Sequence, residues 1–199
     1  MKNSVKLIIV LCLMASGLYA QDVNGQLNTA KSAYGSGDLQ GARFALQQAL
    51  NELNIAIGAE ILKLLPTNME DMTYIEEEDN VTATTAGFTG IYVSRTYQFD
   101  ENKHASLQII SDSPLLSGIS ALLALPVFGA DPNQKRVRIG GYRGLLQKSE
   151  NSTGEISWDL QLPVGSTLLT FQVEGIEQEK TVTDMASTIP VDQISRFAQ

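Results

Sequence analysis

The sequence predicts an α+β protein: an N-terminal helical hairpin followed by a mainly antiparallel sheet covered by helices. Three observations carry this expectation. Apolar residues recur at helical spacing through residues 27–65, and beyond Val81 the apolar period falls to two. Clusters of turn-forming residues then cut the remainder into short strands, with one uncharged helical stretch among them.

The first twenty residues stand apart from that fold. Lys2 and Lys6 lead into the apolar run 7–14, and Ala15, Ser16, Gly17 and Ala20 come after it. This order of charge, apolar run and small residues reads as a secretory signal, with cleavage expected after Ala20. The run is too short to span a membrane, which takes roughly 20 residues. Cys12, the only cysteine, lies within it. An exported product would therefore have no disulfide, no thiolate metal ligand and no cysteine nucleophile. A short lysine-led signal without disulfides points to a bacterial envelope protein, periplasmic or extracellular.

Residues 21–66 are expected to form the hairpin. Gly35-Ser36-Gly37 breaks the helical pattern and Asp38 caps the second helix, with Leu39, Ala42, Leu46, Ala49, Leu53, Ala56 and Ile57 along one stripe before Pro66 stops it. Residues 55–65 are apolar on nearly every side apart from Glu60 and Lys63. Such a surface is either buried by the chain's own second half or offered to a partner. Residues 67–79, with Glu70, Asp71 and the run Glu76, Glu77, Glu78 and Asp79, read as an acidic linker. Their spacing lacks the central glycine of a calcium-binding loop.

Residues 80–199 read as the sheet domain. Ile91, Val93, Arg95, Tyr97 and Phe99 share one face of a strand, and Ala105, Leu107 and Ile109 share a face of the next. Residues 100–103 form the turn between them. Ser113 and Pro114 signal a helix start, as cap and first helical residue, and that helix runs to about Leu125. Three further strands are expected. The first covers residues 136–139 and continues through Tyr142 to Gln147; the others cover 156–162 and 167–173. Ile156, Trp158, Leu160 and Leu162 face one way, and a helical end begins near Gln178 and breaks near Pro190.

Two stretches carry a resemblance. Ala33-Tyr34, Gly37-Asp38, Ala42-Arg43, Ala45-Leu46 and Ala49-Leu50 resemble one tetratricopeptide-type hairpin, without a second copy in the chain. Asp112-Ser113-Pro114-Leu115, Gly141-Tyr142-Arg143-Gly144 and Leu162-Pro163-Val164-Gly165 look like exported bacterial proteins of uncharacterised function. The order of elements over residues 80–199 is similar to the PsbP-type sandwich. That resemblance implies a binding or assembly module and transfers no functional residue.

Composition and motifs argue against most chemistry. The chain has 14 basic and 22 acidic residues for a net charge of −8, and loss of Lys2 and Lys6 with the signal leaves −10. That balance disfavours nucleic acid as a partner. His104 is the single histidine and falls beside a hairpin turn, a wet position for a catalytic base, and one histidine cannot build a zinc site. Gly165-Ser166 lacks the second glycine of a nucleophile elbow, and Gly140, Gly141 and Gly144 fit neither phosphate-cradling pattern. No cofactor is expected. Carboxylates are numerous enough for a sugar-hydrolysing pair, but no spacing singles one out.

Two features remain as candidate binding residues. Lys135, Arg136, Arg138, Arg143 and Lys148 cluster in an acidic chain, with Arg136 and Arg138 on one strand face and Tyr142 beside them. They form either a solvated outer face or a site for an anionic group or acidic partner. The uncharged stretch 113–130, with Leu115, Leu122 and Phe128, is either a core helix or the wall of an apolar pocket or docking surface. The sequence therefore points to a non-catalytic envelope protein that binds another envelope protein. Its rivals are a periplasmic carrier of a small apolar or anionic ligand and a carbohydrate-active enzyme.

Overall fold

The structure, a computed structural model, describes residues 22–84, 90–125, 132–150, 152 and 154–198. It is α+β, and it divides into two compact units, one ending at Ala56 and the other comprising Ile57–Gln199. The expected signal segment and Phe128 lie outside the described residues. No helix among the described residues is long and apolar enough to cross a membrane.

The first unit is a helical hairpin. Helix α1 covers Asp22–Gly35, and α2 begins at Leu39 and runs on to Leu64 in the second unit. Gly37 holds the turn at φ +84°, in the left-handed region that glycine enters at no steric cost. Asp38 accepts the Gly41 amide at 2.9 Å on its Oδ1, capping α2 as its position predicts. The hairpin buries only alanines fully: Ala30 on α1, and Ala42, Ala45 and Ala49 on α2.

In the second unit nine strands form one antiparallel sheet: β1 (Asn68–Met69), β2 (Met72–Tyr74), β3 (Asn80–Thr84), β4 (Gly90–Gln98), β5 (His104–Ser111), β6 (Gln134–Ile139), β7 (Tyr142–Glu150), β8 (Ile156–Val164) and β9 (Thr167–Glu174). Their order is β1-β2-β4-β5-β9-β8-β7-β6, with β3 also paired to β4. Helix α3 covers Leu116–Ala124, α4 Glu179–Ser187 and α5 Val191–Phe197.

Alternation along each strand sends side chains to two faces. One face carries the main core, with Val93, Leu107, Phe171, Leu160 and Leu146 from five strands. Ile61 and Leu65 at the end of α2 join this core, as do Val182 and Met185 of α4 and Ile194 of α5. The apolar stretch 55–65 is thus partly or fully withdrawn from solvent at most positions. The opposite face carries a smaller cluster in which Ile119 and Leu123 of α3 cover Leu145 and Leu168.

Four local expectations are corrected. Residues 67–79 are not a free linker: β1, β2 and a 3-10 turn at Glu76–Glu78 lie along the edge of β4. The strand expected to continue through residues 136–147 is instead a hairpin, because Gly140 and Gly141 both take positive φ, +56° and +85°, as a two-residue turn requires. Ser113 does not cap α3; Asp112 sits at φ +50°, and the helix opens three residues later with Leu115 before it and no side-chain cap. Leu122 is not core, since α3 turns Ile119 and Leu123 to the sheet and leaves Leu122 43% exposed.

Candidate functional site

The basic residues divide between the faces of the β6–β7 hairpin. Arg138 stands directly across from Arg143, and Arg136 across from Leu145, so these three arginines share the face on which α3 lies. Lys135 and Lys148 point the other way. Lys135 pairs with Glu179, and the Lys148 ammonium lies 5.5 Å from the centre of the Trp158 ring. Tyr142 also leaves the arginine face; it is partly buried against the main core.

On the arginine face, Arg136 donates to the Leu125 carbonyl just beyond the end of α3. Arg143 lines an open groove of about 360 Å³ with Ser120, Leu123, Ala124, Pro163 and Gly165. Arg138 reaches only the Gly141 carbonyl, at 3.4 Å, and neither Arg138 nor Arg143 has an ion-pair partner among the described residues. Like charges directly opposed on neighbouring strands repel unless an anion lies between them. Leu115, Leu122 and Leu125 remain exposed nearby. Three of the expected site residues, Arg136, Arg138 and Arg143, therefore come together near α3.

Arg95, placed by the two-residue period on one strand face with Val93 and Tyr97, has a role that the sequence did not disclose. It is 6% exposed and meets Asp79 through two hydrogen bonds, Nε to Oδ1 at 2.8 Å and Nη2 to Oδ2 at 2.5 Å. Its Nη1 donates to the carbonyl of Leu65 at 3.1 Å, and its guanidinium lies 4.4 Å from the centre of the Tyr74 ring. Burial opposes the charge, but the Asp79 carboxylate outweighs it and holds the guanidinium pKa above its ordinary value. Tyr97 donates to the Pro66 carbonyl at 2.9 Å, and burial pushes its phenol pKa up. Arg95 and Tyr97 together fasten the end of α2 to the sheet. The two-residue period put both on one strand face, but nothing in the sequence tied Arg95 to Asp79.

His104 is half-exposed, 3.6 Å from Glu174 across the β5–β9 pair, in the open position expected from the turn beside it. A second open groove, of about 400 Å³, lies among Asn102, Glu155, Ile156, Gly175 and Glu177. Asp159, on the arginine side of the sheet, accepts from Gln161 at 2.8 Å on Oδ2, while its buried Oδ1 has no hydrogen-bond partner. Burial raises its pKa, and the Gln161 bond offsets part of that rise.

The hairpin presents a different kind of surface. Leu27, Tyr34, Leu39, Leu46, Leu50 and Leu53 are 45–71% exposed. Leu46, Leu50 and Leu53 follow the four-then-three spacing of a helix-packing seam, Leu39 precedes it by seven residues, and Leu27 and Tyr34 are also seven apart. On each helix these residues are displaced in the same rotational sense from the buried alanines. In an antiparallel pair that sense brings both sets to one side. No family model, curated protein or solved structure matches the chain.

Proposed function

We propose that the chain is an exported, non-catalytic envelope protein acting as a protein-binding or assembly module. The observation that carries this reading is the apolar face of the hairpin: six large side chains about half exposed on a unit whose own interior is alanine. Contiguous apolar surface of that extent marks a place where another protein docks. The lysine-led segment at residues 1–20 supports export. Native mass spectrometry of the mature protein, purified gently from its own envelope fraction, is the test. A protein complex that Leu46→Glu dissociates is the expected result, and a bare single chain overturns the reading.

A second reading, a carrier of a small apolar or anionic ligand, is favoured by the groove beside Arg143 and by the opposed Arg138–Arg143 pair. Its mark in the same experiment is a co-purifying small mass that Arg138→Gln with Arg143→Gln removes.

A further inference from the structure

The structure assigns a partner to the hairpin face: a second copy of the same hairpin, closing a symmetric four-helix bundle. This inference rests on the protein-binding reading above and names the partner. The face is two helices wide, with Leu27 and Tyr34 from α1 and Leu39, Leu46, Leu50 and Leu53 from α2. Its seven-residue and four-three spacings are those of side chains that insert between the side chains of another helix. An occupant that matches both ridges is itself a pair of helices.

A second copy meets that requirement without burying a charge. Glu52 falls on the far side of the hairpin by helical rotation, and Lys31 and Arg43 stand at the outer edges of the face. Charges at such a rim stay in water and are screened. Twofold symmetry pairs the face with itself and leaves no apolar remainder, whereas a head-to-tail contact leaves one at each end. Six large side chains at 45–71% exposure offer several hundred Å² of surface. That approaches the roughly 800 Å² per partner of a standard interface once a polar rim is counted.

The test is the mass in solution of the mature protein, by light scattering over a dilution series. A two-chain mass that falls to one chain on dilution is expected. Leu46→Glu with Leu50→Glu is expected to weaken association by at least ~100-fold, because it places two unpaired charges in the seam. Phe44 is 65% exposed but lies two residues, about 200° of rotation, from Leu46. Phe44→Glu is therefore expected to leave the two-chain mass unchanged. Leu53→Gln, scored by the same series and by circular dichroism, replaces the double variant if that one fails to fold. A wild-type chain that is single at every concentration, or equal effects of Phe44→Glu and Leu50→Glu, overturns the inference. A single chain that captures a different envelope protein through intact leucines overturns the second copy and keeps the binding module; one that captures nothing overturns both.

Discussion

Two residues on the sheet show how position decides what a charge does to stability. Arg95 and Asp79 have side chains 7% and 14% exposed and satisfy each other through paired hydrogen bonds. Removing one partner strands the other in a dry site, so Asp79→Ala is expected to cost about 3–5 kcal/mol in urea unfolding. Replacing both, Arg95→Met with Asp79→Leu, is expected to cost much less, because no buried charge remains. Equal losses for the single and double changes would show that the carbonyl and Tyr74 contacts of the guanidinium matter more than its charge pair. Asp159 behaves oppositely. Burial raises its folded pKa above the ordinary value of 3.8. Above the folded pKa the native state therefore carries the full cost of an ionised, half-satisfied carboxylate; as pH falls, that cost declines, and it vanishes below the unfolded pKa. Asp159→Val is accordingly expected to stabilise the protein by about 1 kcal/mol at pH 7, with the gain shrinking as acid protonates the wild-type carboxyl. A gain independent of pH would place its origin in strand propensity.

Among the elements, α3 and the end of α2 make opposite packing demands. Helix α3 carries no charged residue, so its sequence gives no polar stripe to say which side faces the sheet. That is why Leu122 reads as core while the structure seats Ile119 and Leu123. Leu123→Ala is expected to cost about 2–3 kcal/mol and Leu122→Ala at most about 0.5 kcal/mol, measured by chemical denaturation. Comparable losses would mean that Leu122 is covered in solution. The end of α2 approaches the sheet so closely that a Cβ on Gly58 would stand 2.4 Å from Val81 Cγ1. Gly58→Ala, favourable for an exposed helix, is thus expected to lower the melting temperature. Strands were legible wherever one face is dry: β4, β5, β8 and β9 are marked by a two-residue period that survives because their partners bury alternate side chains. The period could not mark the reversal at Gly140-Gly141, and it could not place residues 67–79, whose acids conceal Met69 and Met72, both buried. The basic residues on β6 and β7 were legible as a cluster, but the division that leaves the three arginines on one face and Lys135 and Lys148 on the other depends on that unread turn.

At the scale of the whole molecule, the two units differ in what holds each together. Residues 57–198 bury a main core on one face of the sheet and a smaller cluster on the other, drawing aromatic and branched side chains from central strands that are paired on both edges. Residues 22–56 bury four alanines, and each alanine contributes a single methyl, worth about 0.8 kcal/mol. Helix α1 has 14 residues, near the length at which isolated helices are marginal in water. Local opening is therefore cheaper in the hairpin than in the sheet. Hydrogen exchange should reveal this directly: amides of β5, β8 and β9 are expected to exchange only with global unfolding, and those of α1 by local opening, orders of magnitude sooner. The leucine face adds a second dependence. Where two hairpins associate, protection in α1 rises with protein concentration while protection in the central strands does not. Leu46→Glu with Leu50→Glu should remove that concentration dependence and leave the strands unchanged. Equal protection in both units, at every concentration, would mean that they unfold as one cooperative body and that an alanine interface is sufficient to hold the hairpin.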